Sequence, residues 1–153
     1  MKIKNVKKID FGYKRYGKMA DKYYNNGDYV SALRFAYKQL KEHGGDADVY
    51  NRLADIYESM GLNASALHWL FHYLDNCEEE ELPDIYESIA VNFLNVGNEQ
   101  QAAFYYNRLI DVDDTLPPEV KMDIVNTFSK KKRDNFNHII ILRRRWVSSN
   151  LLY

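Results

Sequence analysis

The chain has 153 residues, 46% of them hydrophobic and 14% aromatic, with a net charge of −1. That is one domain's length with ample material for a packed interior, which excludes a chain too polar to bury a core. The lone Cys77 excludes an internal disulfide, and no apolar segment of signal-peptide or membrane-span length follows the basic start, so the expected location is cytoplasmic.

Charge is unevenly spread. Residues 1–22 carry +6, 23–74 carry −2, 75–119 carry −11 and 120–153 carry +6. Blocks of this kind attract one another within or between molecules and govern association rather than fold.

Residues 1–12 read as a basic N-terminal extension. Beyond it one scaffold recurs three times: a small Ala, an aromatic ring, a Gly and a second Ala at fixed offsets. The instances are Ala20/Tyr23/Gly27/Ala32, Ala54/Tyr57/Gly61/Ala66 and Ala90/Phe93/Gly97/Ala102. The glycines lie 34 and then 36 residues apart, a period that marks helical repeat arrays. Apolar residues fall at helical spacing within each unit, as in Tyr50, Leu53, Ala54 and Tyr57, then Ala66, Leu67, Leu70 and Leu74. The sequence therefore predicts an all-α fold, an α-solenoid of antiparallel helix pairs, with units over 13–45, 46–80 and 81–115.

The breaks within pairs fall at Gly27, Gly61 and Gly97, each followed by a candidate N-cap in Asp28, Asn63 or Asn98. Between pairs, Gly44-Gly45 precedes Asp46 and Asp48, either of which can cap the next helix. Leu82-Pro83-Asp84 and Thr115-Leu116-Pro117-Pro118-Glu119 open later helices with Pro in the first turn. The extra length of the second period fits best into the acidic stretch 75–81. Residues 116–153 read as a degenerate fourth unit or capping helix with a basic tail: a helix over 117–130, then a capping helix over 134–147, where Ile139–Leu142 could equally be extended.

On these residues the chain resembles a tetratricopeptide repeat (TPR) protein over about 13–112, and GDYVSALRFAYKQL is similar to the second half of the family motif. Tyr16, Tyr50 and Tyr86 stand where the family usually has a large residue, with Met19, Leu53 and Ile89 three positions on. Phe35, Trp69 and Tyr105 stand at equivalent points of the second helices. The resemblance implies a right-handed superhelix whose concave face is lined by the first helix of each pair.

Projection of side chains away from the apolar stripe puts Lys14, Gly17, Asp21 and Tyr24 on that face in the first unit, with Asn25 at its edge. The second unit contributes Asp48, Asn51, Asp55 and Glu58, and the third Asp84, Glu87, Val91 and Leu94, with Asn95 at the edge. The lining is acidic. Positions where chaperone adaptors of the family hold a carboxylate with Lys, Asn and Arg carry Gly17, Asp21, Arg52, Asp84 and Ser88 here, which argues against a carboxylate clamp. A basic or neutral protein or peptide is the expected partner.

Other candidates are weaker. His68 and His72 share a helical face at a metal-chelating spacing, but two ligands are not a site and their phase puts them on the outer surface, so no metal is expected. Lys130–Arg133 and Arg143–Arg145, with Phe136 and Trp146, could touch nucleic acid, yet no nucleic-acid module is present and that partner is disfavoured. No nucleophile, phosphate-loop or metalloprotease motif occurs, so neither an enzyme nor a cofactor is expected. The sequence reads as a non-catalytic protein-interaction module. The alternative is a self-associating structural or regulatory segment of a larger assembly, its basic tail bridging subunits or reaching nucleic acid.

Overall fold

The computed structural model describes residues 11–129, which form seven α-helices and one short 3-10 helix, with no strand among the described residues. The helices are α1 (Phe11–Asn25), α2 (Tyr29–His43), α3 (Ala47–Ser59), α4 (Asn63–Leu74), α5 (Leu82–Asn95), α6 (Glu99–Val112) and α7 (Pro118–Ser129), with the 3-10 turn at Glu79–Glu81. The chain divides after Glu78 into two compact units. In the first, α1 packs on α2, α2 on α3, and α3 on α4; in the second, α5 packs on α6 and α6 meets α7. The expected all-α class with helices packed in pairs is thus observed. Residues 1–10 and the tail beyond Ser129, including the expected capping helix, lie outside the described residues, whereas Phe11 and Gly12, read from sequence as the end of the N-terminal extension, already belong to α1.

The turn inside each pair has one chemical solution used three times. Gly27, Gly61 and Gly97 adopt φ of 78°, 73° and 80°. Each glycine N–H donates three residues back, to Tyr24 O, Glu58 O and Leu94 O at 3.0, 2.9 and 3.0 Å. The next residue's N–H reaches the carbonyl of the repeat aromatic: Asp28 to Tyr23, Leu62 to Tyr57 and Asn98 to Phe93, at 2.9, 2.9 and 2.8 Å. This is the Schellman motif, which satisfies the last carbonyls of the first helix and needs a left-handed residue to do so.

Two of the three following helices then start as the sequence predicts. Asp28 accepts from Ser31 N at 3.1 Å and Ser31 Oγ at 2.6 Å, and these bonds hold its carboxyl below the usual carboxylate range. Asn98 accepts from Gln101 N at 3.1 Å. The middle pair departs from the expectation: Leu62 occupies the N-cap without a side-chain bond, and Asn63 lies inside the helix, donating Nδ2 to Gly61 O at 3.2 Å. Asn63 stands one residue later after its glycine than Asp28 does, so it overshoots the cap. Between the pairs, Asp46 rather than Asp48 caps α3, accepting from Val49 N at 3.0 Å. Pro83 sits in the first turn of α5.

The repeat alanines close the pairs. Ala20, Ala32, Ala54, Ala66, Ala90 and Ala102 are all fully buried. Helix axes approach to about 8–10 Å where side chains at the crossing are small. Around these seams Ala36, Val49, Leu53 and Ile56 complete the first core, and Tyr106, Leu109, Leu116 and Ile124 the second. Aromatic rings one turn from the seam stack in matching places, Tyr23 on Phe35 at 5.5 Å and Phe93 on Tyr105 at 5.8 Å. Offset stacking of this kind adds to the burial of large amphipathic rings.

Ala54→Leu is expected to lower unfolding free energy by about 1–3 kcal/mol through overpacking. Gly61→Ala, whose new methyl meets nothing within 4 Å, should cost about 1 kcal/mol from backbone strain alone. Urea denaturation followed by helical circular dichroism measures both, and an Ala54→Leu protein as stable as the parent would contradict the close-packed seam.

Candidate functional site

Within the first unit, α1 and α3 enclose an open polar hollow of about 390 Å³. Asp21, Tyr24 and Asn25 line it from α1, and Asp48, Asn51, Arg52, Asp55 and Ile56 from α3. The helices set this lining directly: 48/51 and 52/55 are three residues apart and 48/52 and 51/55 four, so their side chains share one stripe. Asp46 starts α3 two residues before that stripe and fixes its phase.

Arg52 organises the wall. Its Nε donates to Asp21 Oδ1 at 2.8 Å and its Nη2 to Asp21 Oδ2 at 3.3 Å, a forked bond between α3 and α1. Its Nη1 donates to Gln39 Oε1 of α2 at 3.0 Å. Gln39, 1% exposed, in turn donates Nε2 to the Tyr13 carbonyl at 3.0 Å. Tyr13 completes the chain by donating its hydroxyl to Asp46 Oδ2 at 2.6 Å. Burial, and after it the bond to Asp46, push the Tyr13 phenol well above its ordinary value. Near the far end, the Tyr24 hydroxyl and Ser59 Oγ lie 2.8 Å apart and tie α1 to the end of α3.

Asp21 is therefore neutralised by Arg52, whereas Asp48 and Asp55 form no ion pair among the described residues. Asp55 is exposed to solvent on the side of the hollow, while neighbouring protein atoms crowd its other side. Desolvation raises its pKa to about 6; the Arg52 charge opposes the shift and the Asp21 charge adds to it. At neutral pH the wall carries three carboxylates against one guanidinium.

Of the residues the sequence assigned to a concave face, six meet here: Asp21, Tyr24, Asn25, Asp48, Asn51 and Asp55. Lys14 is exposed and Glu58 half-buried, while Gly17 is buried rather than facing solvent as expected, and none of the three is part of the lining. The remaining five belong to α5 of the second unit. There Asp84 and Asn95 are exposed and Val91 and Leu94 are half-buried, but Glu87 is only 8% exposed. Glu87 thus does not present its charge to solvent as expected: α5 also buries Ile85, Ile89, Ala90 and Asn92, so more than its apolar stripe is covered. Two lining residues were not assigned to the face from sequence, Arg52 and Ile56. Arg52 sits one turn after Asp48 and could have been found by the same spacing. His68 and His72 are exposed on α4, their rings 4.9 Å apart and packed against Trp69.

None of the described helices is long and apolar enough to cross a membrane. Searches of protein-family models and of curated proteins give no match to this sequence.

The raised pKa of Asp55 has a signed consequence for stability. The folded state holds this proton more tightly than the unfolded chain, so the carboxyl favours folding fully below about pH 4, and that contribution is lost as pH rises through about 6. Asp55→Asn should therefore stabilise the protein by about 1 kcal/mol at pH 7, allowing for solvent screening, and by almost nothing at pH 4. Thermal melts of the two proteins at both pH values check this, and a difference independent of pH would contradict it.

Proposed function

We propose that the chain is a non-catalytic interaction module of TPR type, an α-solenoid whose concave face binds a basic peptide segment of another protein. The observation that carries this reading is the α1/α3 hollow, in which two carboxylates, Asp48 and Asp55, have no ion-pair partner among the described residues, beside a third that Arg52 neutralises. A Lys or Arg side chain entering the hollow would find compensating charge on one wall. The amides of Asn25 and Asn51 on the same lining offer both donors and acceptors to a peptide backbone.

The TPR assignment rests on the threefold recurrence of the Ala–aromatic–Gly–Ala scaffold, with the alanines buried and the glycines in left-handed turns. In arrays of this kind neighbouring helix pairs cover each other's apolar faces and leave an extended surface for a polypeptide. Attraction between an open acidic wall and a basic segment mainly accelerates encounter and selects against acidic competitors, and it weakens with salt.

Fluorescence anisotropy with a labelled nonapeptide of alternating Lys and Gly, against its Glu counterpart, tests the proposal. The Lys peptide should bind and the Glu peptide should not. Affinity for the Lys peptide should fall at least about tenfold in Asp48→Lys/Asp55→Lys, a loss of about 1.4 kcal/mol or more. Binding undiminished by the double reversal would overturn the hollow as the site.

A further inference from the structure

Among the described residues Arg52 forms no ion pair with its nearest acidic neighbours. Asp48 lies one helical turn before it and Asp55 one turn after, the spacings at which oppositely charged side chains on a helix normally pair. Its guanidinium instead crosses to Asp21, 31 residues away on α1, and to Gln39 on α2. Two features hold it there. Gln39 is 1% exposed, and its amide is fixed at both ends, the oxygen by Arg52 and the nitrogen by the Tyr13 carbonyl. Gly17 of α1 supplies the space: a Cβ at this position would stand 3.2 Å from Gln39 Nε2 and 3.3 Å from Arg52 Nη2. Glycine inside a helix is unfavourable relative to alanine, so its presence here matches a need for room rather than for backbone freedom.

We propose that Gly17 and Gln39 form a latch that keeps the Arg52 guanidinium on Asp21 and off Asp48 and Asp55, making Gln39 the positioning residue that reserves the hollow's two open carboxylates for a cationic side chain. Neither latch residue is among those that line the hollow. Released from the latch, Arg52 would swing within its own helix toward Asp48 and Asp55 and neutralise the wall from inside. The identity of the ligand rests on the function proposed above; the position of the Arg52 charge does not.

The test uses the full chain and two readouts. Carboxyl NMR titration follows the Asp55 midpoint in the parent protein, in Gln39→Met and in Gly17→Ala, and anisotropy follows the Lys/Gly peptide in the same three proteins. In both variants the Asp55 midpoint should fall by about one unit from its parental value near 6, because a guanidinium that approaches a carboxylate favours its charged form. Peptide affinity should fall about fivefold. Gly17→Ala keeps the helix-forming tendency of α1, so it decides the matter should Gln39→Met lose its fold. A lower Asp55 midpoint without peptide binding by the parent would uphold the latch and reject the peptide reading. A midpoint unchanged or raised in folded Gly17→Ala would overturn the latch.

Discussion

The constraint on which the rest depends is close approach of paired helices at fully buried alanines. Each pair has one such alanine on each helix, and at none of the six is any surface left open. A methyl at the crossing lets larger neighbours interlock around it, Leu53 and Ile56 in the first unit and Tyr106 and Leu109 in the second. Packing at this density leaves little tolerance for added volume, so the seam fixes helix spacing and, with it, the positions of side chains on the opposite faces.

In the first unit that spacing carries through to the polar side. Because α2 packs on both α1 and α3, a single buried side chain of α2, Gln39, can touch Tyr13 on one neighbour and Arg52 on the other. Buried amides are costly unless bonded, and Gln39 is bonded at both its nitrogen and its oxygen. From it the polar network runs outward through Arg52 to Asp21, where it meets solvent, and through Tyr13 to the Asp46 cap of α3. The acidic hollow is thus an outgrowth of the same packing that stabilises the pairs, and its charge pattern depends on one arginine being held in place.

Much of this was legible in sequence because it is written in local rules. The left-handed turns needed glycine and the sequence has glycine at each one. Asp28, Asn98 and Pro83 mark helix starts by chemistry that depends on a few neighbouring residues. Six hollow residues followed from helical phase applied to the first helix of each pair, the helix that the family resemblance implies lines the concave face. One miss is local and the others depend on what lies across space. Asn63 has the right side chain but stands one residue too late after Gly61, so the cap falls on Leu62. Glu87 lies on the polar side of its own helix and is nonetheless covered. Arg52 was not assigned to the face, and its bonds run across space to Asp21 on α1 and Gln39 on α2 rather than along its own helix.

The central claim, that the α1/α3 hollow is where a basic segment docks, is tested most directly by chemical-shift mapping on the 15N-labelled chain. Addition of the Lys/Gly peptide at low salt should shift the backbone amides of residues 21–25 and 48–56 and the side-chain amides of Asn25 and Asn51, leaving α4 unmoved. Shifts concentrated elsewhere in the chain, or none at saturating peptide, would contradict the account.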